Sequence, residues 1–326
     1  MAPTIIVAAP VSDSLLGMLR AAGRVVQVDD AQALDDPRLN DQIADATGIL
    51  ASNTRRISAG ILSSAPHLKV VSTVSVGVDH IDVNEATARK VVVCNTPGVL
   101  DGAVAEFTML LILSLARRAI DNWRAVQTGI WSRGEQLPPF GNDLRGKALG
   151  VLGMGRTGRA VARLASDGFG MQVMYHKRSG ALPSATTDVR MEYVGRSELF
   201  RRADFLTLHV DLNPETRGSV GRAEFDLMKD SAYLINVSRG AVVDEDALIE
   251  ALRGRRIAGA GLDVTQSEPP PLDSPLLRLP NVIITPHIAS ATMETRQSMA
   301  EMAVRNLLAV CSGNAPEAIV NPEAVA

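Results

Sequence analysis

The stretch that decides the fold is residues 149–158, LGVLGMGRTG, where a short apolar run leads directly into a glycine-rich loop. A lone G-x-G-x-x-G string is weak evidence, but a strand candidate precedes this one and a helix candidate over residues 159–166 follows it. The first glycine would permit a tight turn, the second would let a ligand approach the backbone, and the third would let the helix pack closely. We therefore predict a dinucleotide site here, with a tight strand–helix turn that binds no nucleotide as the alternative. The predicted contacts are Gly153, Met154, Gly155, Arg156, Thr157 and Gly158.

Short apolar runs alternate with helical patterns on both sides of this loop. The predicted strands are residues 4–9, 24–28, 48–51, 69–73 and 91–94 in a first series, and 148–152, 172–175, 205–208, 232–236, 258–263 and 282–285 in a second. Strands that are apolar throughout and alternate with helices are typical of parallel sheets covered on both faces. The sequence thus predicts an α/β protein with two doubly wound parallel-sheet domains.

Three further segments connect or follow the two series. A long helix is predicted over residues 102–119, and residues 128–144 form a Pro- and Gly-containing irregular arm. A last helix begins near Thr292 and ends near Gly313. This helix follows the second series in sequence. Because the first predicted sheet lacks a covering helix, we expect the chain to return to the first domain.

Size and composition narrow the class of protein. A chain of 326 residues suggests two domains, and a net charge of −3 gives no support for binding nucleic acid or an anionic membrane. Cys94 and Cys311 lack CxxC spacing, which makes a disulfide framework or a cysteine-rich metal site improbable and favours a reducing cytoplasm. The N-terminus lacks a signal-peptide pattern, and the most apolar run, residues 107–116, is too short to cross a bilayer. We expect no bound metal.

The strand after the glycine-rich loop bears on the choice of nucleotide. An NAD site usually has an acidic residue about 20 residues past the loop, where it accepts a hydrogen bond from the ribose 2′-hydroxyl. This chain has a basic run instead, formed by His176, Lys177, Arg178 and Ser179. Donors and positive charge suit a 2′-phosphate, so we predict NADP, with NADPH preferred over NADH; a solvated loop end is the alternative. His209, at the end of a later strand, is a further candidate for cofactor contact.

Three polar residues lie after the last strands of the second series: Arg239 in NVSRG, Glu268 in DVTQSEP and His287 in PHIAS. A guanidinium can grip a substrate carboxylate and orient it, and an imidazole can donate a proton near neutral pH. A carboxylate beside the imidazole would favour its protonated form and fix its orientation. Each residue alone would more often be a surface or packing residue. Together they predict reduction of a 2-keto acid, with Arg239 and His287 also binding substrate.

On these strings the chain resembles the D-isomer-specific 2-hydroxyacid dehydrogenases, and within them the NADP-preferring glyoxylate/hydroxypyruvate reductases, a group that includes 2-ketogluconate reductases. The resemblance covers nearly the whole chain and includes residues 74–79, residues 95–97, and Glu106 with Thr108. It departs from the family at Asp211, where a proline is common, and at Thr265, where an aromatic residue is common.

The resemblance implies a flavodoxin-like substrate domain formed by residues 1–98 and 289–326, a Rossmann cofactor domain formed by residues 99–288, and a homodimer. It implies NADPH-dependent reduction of glyoxylate, hydroxypyruvate or 2-ketogluconate to a D-2-hydroxy acid, with His287 as proton donor. Backbone N–H groups of Ser75, Val76 and Gly77 would meet the substrate carboxylate. Thr108, Val237 and Asp263 would lie on the cofactor side, with Asp263 holding the nicotinamide carboxamide.

Two other functions remain open from the sequence. The first is a non-enzymatic, NADP-sensing or corepressor-like protein on the same fold, against which the intact Arg/Glu/His set argues. The second is a dehydrogenase of formate, phosphite or a sugar acid, and fold-level analogy cannot choose among these substrates.

Overall fold

The chain divides into two compact units in a computed structural model that describes residues 2–29, 33–183 and 190–325. The first unit comprises Met1–Leu100 and Thr292–Ala326, and the second comprises Asp101–Ala291. The first unit is therefore discontinuous in sequence, and the second is inserted into it.

The first unit is built on a five-stranded parallel sheet. Its strands are β1 (Thr4–Ala8), β2 (Arg24–Gln27), β3 (Gly48–Ala51), β4 (Val70–Thr73) and β5 (Val92–Cys94). Its helices are α1 (Asp13–Ala22), α2 (Asn40–Ala44), α3 (Ala59–Ser64), α4 (Val83–Ala88) and α11 (Met293–Cys311). The strand order β2-β1-β3-β4-β5 is that of a flavodoxin-like doubly wound sheet.

The C-terminal segment returns to the first sheet through specific bonds. The Ser72 hydroxyl donates to the Ala303 carbonyl oxygen of α11 at 2.8 Å. Farther along, the side chain of Asn321 is buried and accepts from the Val93 N–H at 2.7 Å. Its amide nitrogen donates to the Val91 carbonyl oxygen at 2.9 Å. Asn321 therefore completes the edge of β5 as a further strand would.

The second unit is built on a seven-stranded parallel sheet. Its strands are β6 (Ala148–Leu152), β7 (Gln172–His176), β8 (Met191–Tyr193), β9 (Phe205–Leu208), β10 (Tyr233–Asn236), β11 (Gly259–Leu262) and β12 (Val282–Ile284). Its helices are α5 (Asp101–Ala116), α6 (Ala119–Gln127), α7 (Arg156–Arg163), α8 (Arg196–Arg202), α9 (Arg222–Phe225) and α10 (Glu245–Arg253). The order β12-β11-β10-β9-β6-β7-β8 reverses direction between β6 and β9, which leaves a crevice at the carboxyl ends of those strands.

These two sheets confirm the predicted α/β class with two doubly wound parallel sheets, but two local predictions were wrong. Strand β8 was missed because it is a three-residue edge strand with mostly exposed side chains, so it has no apolar run. The predicted helix over residues 102–119 is two helices, because Arg118 adopts a left-handed backbone with φ 49° between α5 and α6. Arginine is not a residue that sequence patterns associate with that conformation.

The apolar helix α5 packs in the hydrophobic core of the second unit. Its buried residues include Leu111, Ile112 and Leu115, which pack in a cluster with strands of the second sheet. Within residues 2–29, 33–183 and 190–325, the structure contains no helix with the length and hydropathy needed to cross a bilayer.

Replacing Asn321→Ala should lower the free energy of unfolding of the first unit by about 2–3 kcal/mol, because a buried N–H at Val93 would lose its acceptor. Denaturant unfolding of the full chain measures this. The matched control is Asn314→Ala at an exposed position, expected to change stability by less than about 0.5 kcal/mol. Equal effects of the two substitutions would contradict the assigned role of Asn321.

Candidate active site

Arg239, Glu268 and His287 all follow the carboxyl ends of three adjacent strands. The strand register pairs Asn236 of β10 with Leu262 of β11, and Leu262 with Ile284 of β12. Because parallel strands end at the same edge of a sheet, the loops after β10, β11 and β12 are neighbours.

The loop that carries Arg239 is shaped by Asn236, a buried residue that the sequence analysis did not single out. Its side-chain oxygen accepts from the Ser238 N–H at 3.0 Å and from the Ser238 hydroxyl at 2.9 Å. Its amide nitrogen donates to the Arg239 carbonyl oxygen at 2.9 Å. Arg239 is half-buried, and its guanidinium donates to the Ser238 carbonyl oxygen at 2.9 Å. The turn is therefore held internally, and this limits the positions open to the guanidinium.

Gly240 joins this loop to the segment that leads to Glu268. A Cβ atom at Gly240 would lie 1.9 Å from the Thr265 carbonyl oxygen and 2.6 Å from the Gln266 nitrogen, both backbone atoms. No side chain fits there, so glycine is required for the two loops to meet. The Arg-Gly pair in the sequence thus has a steric reason that only the tertiary structure shows.

Glu268 and His287 form a direct pair. Glu268 Oε2 lies 2.7 Å from His287 Nδ1, and 37% and 29% of the two side chains remain exposed. Because the carboxylate engages Nδ1, the nitrogen left to meet a ligand is Nε2. The pair matches the arrangement expected of an oriented proton donor.

The backbone of His287 is in the left-handed region with φ 55°, which is costly for a residue with a Cβ atom. Asp263, at 1% exposure, lies beneath this loop. Its Oδ1 accepts from the Thr285 hydroxyl at 2.7 Å and the Ile288 N–H at 2.8 Å, and its Oδ2 accepts from the Ala289 N–H at 2.7 Å. Asp263 therefore positions the His287 loop, a role that the sequence analysis missed. The carboxamide contact remains a prediction.

The three glycines of the loop after β6 occupy the environments that their spacing predicts. Gly153 has φ 95°, and a Cβ atom there would lie 2.4 Å from the His209 carbonyl oxygen. At Gly158 a Cβ atom would lie 2.4 Å from the Gly153 carbonyl oxygen, so the start of α7 packs closely on the strand end. Above Gly155 there is open space, with no atom within 4 Å of a built Cβ.

The N-terminus of α7 leaves backbone donors unpaired. The backbone N–H groups of residues 154–157 have no acceptor in the described parts of the chain, as expected for the first turn of a helix. Met154 is buried in the core, so only its backbone can meet a ligand, whereas Arg156 is exposed. The Thr157 hydroxyl donates to Asp101 at the start of α5 at 2.8 Å. The loop is a fixed backbone cradle suited to phosphate groups.

His209 lies beside this cradle. Its ring Nε2 is 2.9 Å from the Thr207 hydroxyl, and burial lowers the pKa of His209 to about 4. Without a ligand, the imidazole is therefore neutral at physiological pH.

In the basic run after β7, some side chains already form contacts within the protein and others are exposed. His176 bonds through Nδ1 to the Val194 carbonyl oxygen at 3.0 Å and stacks on Tyr193, so its ring is already fixed. Lys177 is half-buried, while Arg178 and Ser179 are exposed. The Arg178 guanidinium pairs with Glu215. This carboxylate, 37 residues away in sequence, competes with any ligand for Arg178.

Two of the predicted cofactor contacts face the protein interior. Thr108 is fully buried, and its hydroxyl donates to the Val104 carbonyl oxygen within α5 at 2.7 Å. The cofactor contact of Thr108 remains a prediction. Val237 is partly buried and packs against the hydrophobic core of the second unit.

In the first unit, residues 75–77 form a loop whose carbonyl oxygens all accept hydrogen bonds from nearby groups. Asn95 donates to the Val76 carbonyl oxygen at 2.8 Å, and the Ser75 carbonyl oxygen accepts from the Thr96 N–H at 2.9 Å. The Ser75 hydroxyl donates to the Gly77 carbonyl oxygen at 2.8 Å. Among the described residues, the three backbone N–H groups of this loop have no acceptor. Successive unpaired N–H groups are an anion-binding feature.

Comparison with known proteins supports one family. A model of the D-isomer specific 2-hydroxyacid dehydrogenase NAD-binding domain matches residues 109–289. A glyoxylate reductase of Thermofilum pendens is 44% identical over 283 residues, which cover 86% of this chain and 83% of the relative. Glyoxylate/hydroxypyruvate reductase B of Klebsiella pneumoniae is 42% identical over 323 residues, 99% of each chain.

Solved structures agree. The NADPH-dependent glyoxylate/hydroxypyruvate reductase of Sinorhizobium meliloti, in complex with NADP and malonate, superimposes with a TM-score of 0.87 and 33% identity. The match covers 98% of this chain and 97% of that one. From these similarities and the two parallel sheets, the chain belongs to the D-isomer specific 2-hydroxyacid dehydrogenases, a family of oxidoreductases.

Proposed function

We propose that this protein reduces small 2-keto acids, foremost glyoxylate and hydroxypyruvate, to D-2-hydroxy acids with NADPH as the reductant. The observation that carries the proposal is the 2.7 Å pair of Glu268 and His287, on the same sheet edge as Arg239. The names of the relatives from Thermofilum pendens and Klebsiella pneumoniae support the substrate class. A third candidate substrate is 2-ketogluconate, which carries the same α-keto acid group.

The residues present fit a dinucleotide. The open space above Gly155 and the unpaired N–H groups of residues 154–157 suit a pyrophosphate at the start of α7. A dinucleotide held by this cradle would supply, from its reduced nicotinamide, the hydride for the substrate carbonyl carbon. We assign the crevice at the carboxyl ends of β6 and β9 to the cofactor, and the second unit to cofactor binding.

Arg239 would bind the substrate carboxylate through two parallel N–H···O bonds, which orient the adjacent carbonyl group. The N–H groups of residues 75–77 are proposed to bind a substrate carboxylate, so the first unit would be the substrate-binding domain. His287 would give the proton on Nε2 to the carbonyl oxygen as the alcohol forms. Glu268, bonded to Nδ1, would stabilise the imidazolium before that transfer and hold the ring in place.

The preference for NADPH is proposed on the exposed donors Arg178 and Ser179 and on the absence of an acidic residue from residues 173–179. Breaking the ion pair of Arg178 and Glu215 costs little free energy, because both side chains are largely exposed. A 2′-phosphate could therefore replace the Glu215 carboxylate.

Two properties of the whole molecule are also proposed. Large apolar side chains at Leu110, Trp123, Val126 and Trp131 are exposed on the second unit, which suits association as a homodimer through that unit. Cys94 and Cys311 carry free thiols, which fits a reducing cytoplasm.

The proposed function is tested by following NADPH or NADH absorbance with purified protein and a panel of glyoxylate, hydroxypyruvate, pyruvate and 2-ketogluconate. Oxidation of NADPH by glyoxylate or hydroxypyruvate, faster than oxidation of NADH, is the expected result. Tight NADP binding with no turnover of any keto acid would instead support the sensor-like alternative.

Replacing His287→Asn should lower kcat by roughly 10²–10⁴-fold, because the proton donor is lost while the cofactor cradle is intact. Steady-state rates with glyoxylate measure the loss, and fluorescence titration with NADPH checks that cofactor affinity is kept. His67→Asn, at an exposed position in the first unit, is the control and should keep wild-type rates. Normal turnover by His287→Asn would exclude it as the proton donor.

Cofactor choice should respond to Arg178 and Glu215 in opposite directions. Arg178→Ala should raise KM for NADPH by about tenfold or more, with little change for NADH, since one charge-assisted contact is lost. Glu215→Gln should lower KM for NADPH, because the guanidinium loses its competitor. Glu192→Gln removes the carboxylate from a comparable exposed pair with Arg202 and should change neither value. Equal effects of Arg178→Ala on both cofactors would place the 2′-phosphate elsewhere.

Gly240→Ala should reduce kcat/KM by at least about tenfold while NADPH affinity is retained. The added methyl group must displace the Thr265 backbone and with it the segment that leads to Glu268. Gly168→Ala, where a Cβ atom meets nothing within 4 Å, is the matched control. Wild-type activity of Gly240→Ala would show that the contact between the two loops does not matter for turnover.

A further inference from the structure

A cavity of about 180 Å³ lies within the second unit, at the amino ends of its last strands. Tyr233 and Val282, the first residues of β10 and β12, line it, as does Ala258, which precedes β11. The candidate active site lies at the opposite, carboxyl edge of these strands, of which β10 and β11 are about 13 Å long at four residues each. The cavity is therefore separate from that site.

Arginine side chains dominate the charge of the lining, at Arg118, Arg124 and Arg255. Arg118 pairs with Asp121, also in the lining, at 2.9 Å. In the described parts of the chain, the side chains of Arg124 and Arg255 have no carboxylate partner. The cavity therefore keeps two uncompensated positive charges.

Two of these arginines have a backbone conformation that normally favours glycine. Arg118 has φ 49° and Arg255 has φ 51°. Arg255 follows the end of α10, where the Arg256 N–H donates to the Ala251 carbonyl oxygen at 2.8 Å, as in a Schellman motif. Glycine would adopt this position without steric cost, yet the chain places an arginine there and directs it to the lining of the cavity.

Neutral donors complete the lining. The Tyr233 hydroxyl has no hydrogen-bond partner among the described residues, and its pKa is raised by burial while the nearby Arg118 lowers it. Asn281 is fixed in place because its amide nitrogen donates to the Ala258 and Leu252 carbonyl oxygens, at 3.2 and 3.3 Å. The cavity thus presents guanidinium and hydroxyl donors.

We propose that this cavity binds a small phosphate-bearing dianion through Arg118, Arg124 and Arg255. Two uncompensated charges match a dianion, and planar guanidinium groups match the oxygens of a phosphate. The volume is that of about six water molecules, which is enough to admit a phosphate group. The site does not depend on the proposed reductase activity.

The test is calorimetric titration of the full-length protein with inorganic phosphate at constant ionic strength. The variants are Arg255→Gly, Arg124→Gln, and two controls that each remove one arginine outside the cavity, Arg253→Ala and Arg178→Ala. Arg253 is exposed in the last turn of α10, two residues before Arg255. Arg178→Ala accounts for phosphate that binds at the basic run.

We expect wild-type protein and both controls to share a binding event that Arg255→Gly and Arg124→Gln each weaken about tenfold or more. Arg255→Gly should melt no lower than wild type in phosphate-free buffer, because glycine relieves the left-handed strain. The proposal is overturned if wild type binds no phosphate, if Arg253→Ala weakens binding as much as Arg255→Gly, or if malonate binds the cavity and phosphate does not.

Discussion

The geometry of the candidate active site depends on one buried carboxylate, that of Asp263. Three hydrogen bonds from residues 285–289 converge on it and hold the loop that carries His287 in a left-handed conformation. A carboxylate at 1% exposure would be strongly destabilising without such donors. The same bonds therefore satisfy a buried charge and fix the imidazole where Glu268 can reach it.

The strand order of the second sheet explains the other features of the candidate active site. Because β10, β11 and β12 are adjacent and parallel, their loops start from neighbouring points on one edge. Asn236 shapes the first of these loops, and Gly240 lets that loop touch the second. Asp263 then joins the second loop to the third. Each functional side chain is thus placed by a residue that would not itself touch substrate.

Features set by local chemistry could be predicted from the sequence. The glycine-rich loop is one of them, because Gly153 adopts a left-handed backbone that favours glycine, and Gly158 closely approaches Gly153 in the same loop. The alternation of apolar runs likewise predicted both sheets. The positions of Arg239, Glu268 and His287 after three predicted strands indicated their joint importance, and the family resemblance agreed with it.

Features that depend on distant contacts could not be predicted in this way. The role of Asp263 rests on donors more than 20 residues away, and the competitor of Arg178 is 37 residues away. Strand β8 lacked an apolar run because it is a short edge strand, and Arg118 breaks the long helix although arginine is a good helix former.

Glu268 and His287 are proposed to act as one unit in proton transfer, and a double-mutant cycle on kcat/KM for glyoxylate would detect this coupling. The variants are Glu268→Gln, His287→Gln and the combination. If the two residues act as one unit, kcat/KM of the double variant will be only slightly lower than that of His287→Gln alone, because the carboxylate acts only through the imidazole. Additive losses would contradict it and would mean that Glu268 and His287 contribute independently.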